Sequence, residues 1–226
     1  MIPSLFAWTV GALLASLRAQ GPWGVAYAPA DVSVPRPAIV YLHGMWASPE
    51  DSCGYFARAS TCFGFLVCPR GNAPLGDGRM WAGSYGSVAP SVHAALHAAE
   101  VVAPGKLDRS GDGTLVGYSN GAYFAVQIAE SEPRKWTGLV LLDMHLVIDA
   151  ARLRASGVRR IVLAAGDRDA ARASMQALAE RVDAQGLPTR FMSLGGVGHQ
   201  FPDDMEARMC VAIAWVREAD PSVCGT

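Results

Sequence analysis

The sequence predicts an α/β fold, a doubly wound, mostly parallel sheet with helices on both faces. Two observations carry this. Short runs of near-continuous apolar residues ("AIVYL", "FGFLVC", "TLVGY", "TGLVLL", "RRIVLAA") alternate along the chain with helix-forming stretches. Strands apolar on both sides are buried on both faces, which is the pattern of a parallel sheet covered by helices. The composition agrees: 51% of residues are hydrophobic and 17% charged, and 226 residues suit one domain with a sizeable core.

The elements follow in order. From Leu5 to Leu17 the chain is apolar and uncharged. That is too short to span a bilayer comfortably but fits the apolar region of a signal peptide. Leu17-Arg18-Ala19 before Gln20 would be its cleavage site, although no Lys or Arg precedes the apolar run. The competing reading is an N-terminal helix packed on the domain. Residues 1–19 are therefore set apart, and residues 20–226 read as one domain, exported if the leader is real and cytoplasmic if it is not. A Pro-punctuated segment, "APADVSVPRPA", leads into the strand "AIVYLHG". A helix is expected over Pro49 to Thr61, then the strand "FGFLVCP". Residues 71–87, Gly-rich with aromatics, read as a long loop. "VAPSVHAALHAAEVV" is a helix, "GTLVGYS" a strand and "NGAYFAVQIAESE" a helix. "TGLVLLDM" and "RRIVLAAGD" are strands. "DAARASMQALAERVDAQG" is an amphipathic helix with Gly186 as its stop. "PTRFMSLGG" is the next strand and "DDMEARMCVAIAWVREA" the last helix.

In such sheets sites form at the C-terminal ends of the strands. After "AIVYL" comes His43-Gly44-Met45-Trp46; after "TLVGY", Ser119; after "IVLAAG", Asp167-Arg168-Asp169; after "FMSLGGVG", His199. Ser119 sits in "GYSNG", a G-x-S-x-G. A serine hydroxyl is a weak nucleophile without an adjacent base, and a sharp strand-to-helix turn flanked by Gly117 and Gly121 would expose it. The bland alternative is a helix cap. His199, on a Gly-rich loop, is the expected base. Asp169 is the preferred acid, ahead of Asp143 and Asp167.

The order oxyanion loop, Ser, Asp, His resembles the α/β-hydrolase superfamily, from about residue 25 to 218. "CPRGNAPLGDGRMWAG" gives a looser resemblance to its carboxylesterase/phospholipase branch. The resemblance implies a serine ester hydrolase working through an acyl-enzyme. Its oxyanion donors would be the backbone N–H groups of Met45 (Trp46 as alternative) and Asn120, with His43 buttressing the loop. Trp46, Met80, Trp81, Tyr85 and His145 are expected to face substrate; the alternative for the aromatics is a core or sheet-edge role. The short link between "TGLVLLDM" and "RRIVLAAGD" implies no large cap domain and an open cleft, suited to short-chain esters or an accessible polymer. An acyltransferase, thioesterase or peptidase on the same triad, and a non-catalytic binding protein, are the competing functions.

No cofactor or metal is expected. No G-x-G-x-x-G follows the first strand. His93 and His97 share a helix face without a third ligand. "DRSGDG" begins like a calcium loop but has Ser119 where the final Glu belongs. A net charge of −1 with no basic stripe argues against nucleic acid as a partner, and stable membrane insertion after processing is not expected. The partner is a small-molecule or polymeric ester. Five cysteines allow two disulfides in an oxidising compartment. Cys210–Cys224 is expected first and Cys53–Cys62 second, leaving Cys68 as a buried thiol; five reduced cysteines are the alternative.

Overall fold

The computed structural model describes residues 18–108 and 110–225. The chain opens with a hairpin, β1 (Arg18–Gly21) and β2 (Gly24–Tyr27). The parallel strands are β3 (Arg36–Leu42) and β4 (Phe65–Pro69), with a small hairpin β5 (Ala73–Leu75) and β6 (Gly78–Met80) after them. Then come β7 (Leu107–Asp108), β8 (Gly113–Tyr118), β9 (Trp136–Leu142), β10 (Arg160–Ala165) and β11 (Thr189–Ser193). The helices are α1 (Pro49–Ser52), α2 (Ala57–Thr61), α3 (Tyr85–Val102), α4 (Asn120–Ser131), α5 (Ala150–Ser156), α6 (Arg172–Ala184) and α7 (Met205–Val216).

The main sheet runs β1-β2-β4-β3-β8-β9-β10-β11, with β7 beside β3. From β4 to β11 all pairings are parallel; β1–β2 and β2–β4 are antiparallel. Side chains alternate between two buried clusters. Val40, Leu42, Phe65, Val67, Leu115, Leu139, Leu141 and Leu163 face α3 to α6. Ile39, Tyr41, Leu66, Cys68, Val116, Val140, Leu142 and Val162 face α2 and α7. Both faces are apolar because both are covered, as the continuous runs require. Between β9 and β10 the only element is the short α5, so no cap domain is inserted there.

Three expectations need correction. The helix over Pro49 to Thr61 is broken: α1 ends at Ser52, a 3-10 turn spans Cys53–Phe56, and α2 follows. The loop over 71–87 contains the β5–β6 hairpin and the first turn of α3. Cys53 pairs with Cys68, not Cys62. The reason is strand alternation: Cys68 shares the β4 face of Leu66, against the turn that carries Cys53, whereas Cys62 caps α2 and is the free thiol. Cys210–Cys224 forms as expected. All five cysteines pack in or against the α2/α7 cluster.

The leader expected over residues 1–19 falls on residues outside those described, except that Arg18 and Ala19 pair with Tyr27 and Ala26 in the first hairpin. No helix among the described residues is long and apolar enough to cross a membrane.

Candidate active site

Ser119 stands between β8 and α4 at φ 51°, ψ −122°. A non-glycine residue in that region is strained by roughly 1–3 kcal/mol and is held there only by its surroundings. Those surroundings are visible. The Ser119 N–H donates to the carbonyl of Leu142, the last residue of β9, at 2.8 Å, and the Ser119 carbonyl accepts from Ala122 N–H at 2.9 Å. A Cβ at Gly121 would overlap the Leu42 carbonyl, and one at Gly117 would overlap Ala122, so both glycines are needed for helix and strand to meet this closely. Ser119 is thus a raised hydroxyl on a strained turn; its side chain makes no cap bond to α4.

Its Oγ lies 3.0 Å from His199 Nε2. On the other side of the ring, His199 Nδ1 lies 2.7 Å from Asp169 Oδ2. A carboxylate only accepts, so Nδ1 carries the proton and Nε2 is left to accept from Ser119. The Asp169 side chain is 4% exposed, the His199 ring 51%. Asp169 is buried and fixed, with Oδ1 accepting from Ala171 N–H at 2.6 Å, while the His199 ring faces solvent. This arrangement can draw the Ser119 proton and return it.

The three candidate acids separate clearly. Asp167 is exposed, and its carboxylate is held below its ordinary pKa by the Ser193 hydroxyl and the Arg172 guanidinium. Asp143 is buried at the end of β9 at φ 49°. Its Oδ1 accepts from Gly166 N–H at 3.0 Å, and Oδ2 has no partner among the described residues. Burial, against the Gly166 hydrogen bond and with the Asp169 charge adding to it, raises its pKa to about 6. Only Asp169 reaches His199.

The loop after β3 is braced from below. His43 is fully buried, and burial lowers its pKa, so the ring stays neutral. Its Nδ1 donates to the Gly44 carbonyl at 2.7 Å and its Nε2 accepts from Gly71 N–H at 3.0 Å. Trp81 Nε1 donates to the His43 carbonyl at 3.0 Å, and Trp81 N–H to Asn120 Oδ1 at 2.8 Å. Asn72 holds the same segment, accepting from Ala82 N–H and donating to its carbonyl. Asn120 is the first residue of α4, where a helix leaves its N–H groups without partners. Asn120 directly follows Ser119, and Gly44, the residue before Met45, lies close to it: a Cβ on Gly44 would come 3.4 Å from Ser119 Cβ.

The expected substrate-facing residues divide. Trp46 is 66% exposed at φ 57°, beside β6, and Met80 is partly exposed at the end of that strand. His145 is exposed on the segment after β9, where Nδ1 meets Ser174 Oγ at 2.7 Å. It lines a hollow of about 350 Å³ together with Asp143, Arg168, Asp169 and His199. Trp81 does not line the cleft: it is 0% exposed and supports the loop from within the core. Tyr85 does not either. Its hydroxyl donates to Glu132 at 3.1 Å, at the far end of α4 and roughly 18 Å of helix from Ser119. His93, exposed on the surface of α3, meets the same Glu132 at 2.6 Å. In "DRSGDG", Asp108 is engaged by Ser110, and Asp112 by Thr137 and Arg217. A second hollow, of about 280 Å³, lies at the opposite ends of the strands between Leu96, Leu107 and Trp136, away from Ser119.

Sequence reasoning missed Tyr118 and Asn72. Tyr118 was visible as the second residue of G-x-S-x-G, and Asn72 as the polar residue in "PRGNAP".

No family model matches the chain, and no curated protein does. Solved structures do. FphF, a fluorophosphonate-binding serine hydrolase of Staphylococcus aureus, superposes with a TM-score of 0.63 at 15% identity over 89% of this chain and 97% of that one. The chain has the α/β-hydrolase fold. Two further α/β-hydrolase-like structures match at similar depth. Esterase PE8 gives a TM-score of 0.61 at 20% identity over 87% of this chain and 98% of that one. A hyperthermophilic esterase from the archaeon Pyrobaculum calidifontis gives 0.62 at 16% identity over 90% and 84%. Within that fold, Ser119, Asp169 and His199 follow the ends of β8, β10 and β11.

Proposed function

We propose that this α/β-hydrolase-fold protein is a serine ester hydrolase, acting on short-chain or accessible carboxylic esters through a Ser119–His199–Asp169 triad. The observation that carries the reading is the continuous hydrogen-bonded line from Asp169 through His199 to a serine held at positive φ. A helix cap has no use for that strain, whereas an exposed nucleophile does.

In this reading Ser119 Oγ attacks the ester carbonyl as His199 Nε2 takes its proton. The carbonyl oxygen becomes an oxyanion, stabilised by the N–H groups of Met45 and Asn120. The imidazolium, steadied by Asp169, protonates the departing alkoxide, and the alcohol leaves. His199 then takes a proton from water, the hydroxide attacks the acyl-enzyme, and the acid is released as Ser119 recovers its proton. Two disulfides favour an oxidising compartment and hence export.

The test is hydrolysis of p-nitrophenyl esters from acetyl to long acyl chains by wild type and Ser119→Ala. Wild type is expected to cleave the short esters, with kcat at least about 10⁴-fold lower in the variant. Equal rates for the two proteins would overturn the assignment.

A further inference from the structure

We propose that Asp143 is a positioning residue, a second carboxylate that steadies the imidazolium form of His199 from the wall of the hollow beside the triad. This rests on the ester-hydrolase reading and adds a residue to its machinery.

The first observation is how Asp143 is anchored. Gly166, the residue after β10, joins both acids. Its N–H donates to Asp143 Oδ1 at 3.0 Å, and its carbonyl accepts from Asp169 N–H at 3.0 Å. A Cβ on Gly166 would overlap the carbonyls of Val197 and Gly198, the two residues before His199. Two acids and the loop of the candidate base therefore meet at one glycine. The turn of the candidate nucleophile is tied in as well, since Ser119 N–H donates to the carbonyl of Leu142, the residue before Asp143. Asp143, Asp169 and His199 line a single hollow.

The second observation is what this placement costs. Asp143 is 1% exposed, sits at φ 49° and leaves Oδ2 without a partner among the described residues. Backbone strain and an unpaired buried carboxyl oxygen each destabilise the fold. Holding Gly166 does not account for them. An asparagine would accept the same N–H, suits the left-handed region and brings no charge to bury. Only the acid supplies a negative charge. That charge reaches the triad: a protonated His199 favours ionisation of Asp143, and the Asp169 carboxylate opposes it. The influence is mutual, so an ionised Asp143 favours a protonated His199 ring.

The His199 nitrogens are taken by Asp169 and Ser119, so Asp143 acts by its charge and not by a hydrogen bond. The other titratable or charged groups around it are Asp169 and Arg168 after β10, His145 on its own segment and Tyr118 at the end of β8. Arg168 and His145 are exposed and screened by solvent, and Tyr118 is kept neutral by burial. When Ser119 Oγ gives its proton to His199, the ring becomes a cation beside two carboxylates instead of one. No bond forms or breaks at Asp143; its charge lowers the barrier, and the effect falls on kcat.

The test measures kcat on p-nitrophenyl acetate from pH 5 to 8 for wild type and Asp143→Asn, and follows the His199 ring protons of both by NMR over the same range. The variant is expected to be about fivefold slower at pH 8, where wild-type Asp143 is charged. The deficit should close towards pH 5, where the carboxyl is neutral, and the ring should titrate at lower pH in the variant. Equal rates at pH 8 overturn the proposal, as does a deficit that is the same at every pH, which is what a purely structural role would give. Coincident ring titrations overturn it too. If wild type cleaves no ester while the ring titration still moves, the hydrolase reading fails and the coupling of Asp143 to His199 stands.

Discussion

Tyr118 and His199 are joined twice. The Tyr118 hydroxyl donates to the His199 carbonyl at 2.9 Å, and the two rings lie 5.2 Å apart, tilted by 35°. Tyr118 is also the residue before Ser119, so one side chain ties the loop of the candidate base to the turn of the candidate nucleophile. Burial, with Asp143 and Asp169 nearby, raises the Tyr118 pKa, so the hydroxyl stays a donor across the working pH range. Tyr118→Phe keeps the ring and removes one hydrogen bond worth about 1 kcal/mol. The expected outcome is a roughly fivefold fall in kcat on p-nitrophenyl acetate with KM unchanged. A change in KM alone would show that Tyr118 serves the binding surface instead.

Asp169 is expected to act by fixing the tautomer of His199. Asp169→Asn presents an amide in place of the acceptor and favours the wrong ring proton. Steady-state kinetics should give a kcat lower by about 10⁴-fold with the fold intact by circular dichroism.

Asp143 predicts a pH dependence of stability. Its carboxyl ionises near pH 3.8 in the unfolded chain and at about 6 in the fold. Below 3.8 it is neutral in both states and has no effect. As pH rises from there to 6 the unfolded chain releases its proton first, so stability falls, and above 6 the full penalty of the buried charge remains. Asp143→Asn keeps an acceptor for Gly166 N–H and removes the charge. Its urea midpoint is expected to exceed that of wild type at pH 8 and to match it at pH 4. A variant equally stable at both values would contradict the raised ionisation.

The disulfides predict a thiol count. Denatured but unreduced protein should react with Ellman's reagent at one site, Cys62. The Cys210–Cys224 bond closes a short loop, with a sequence separation of 14. Cys210→Ser/Cys224→Ser should lower unfolding free energy by about 3 kcal/mol in urea titration.

Much of this was legible because chemistry and topology coincide in the sequence. An apolar run followed by a glycine and a polar residue marks a strand end, so Ser119 and His199 stood out as candidates by position, whereas Asp169 stood beside Asp143 and Asp167 until its 2.7 Å contact with His199 set it apart. The partner of Cys53 could not be, because it depends on which face of β4 points at a turn that the sequence rendered as helix. Trp81 and Tyr85 share a Gly-rich segment with the cleft residues, yet Trp81 turns inward to His43. Tyr85 turns to Glu132, whose place beside it only the packing of α3 on α4 decides. The β5–β6 hairpin escaped because its strands, Ala73–Leu75 and Gly78–Met80, are too short to display an alternation.

All five cysteines pack on the α2/α7 side of the sheet, and none on the side of α3 to α6. The molecule is therefore reinforced asymmetrically. Its α2/α7 layer carries both covalent bonds, from Cys53 to Cys68 and from Cys210 to Cys224, while the opposite layer is held by burial and hydrogen bonds without a disulfide. Heat or denaturant under oxidising conditions should peel it from one side, with α3 to α6 loosening while the Cys53 turn is still tied to β4 and α7 to the chain end at Cys224. In a reducing medium that order loses its cause, and the two layers should come away together.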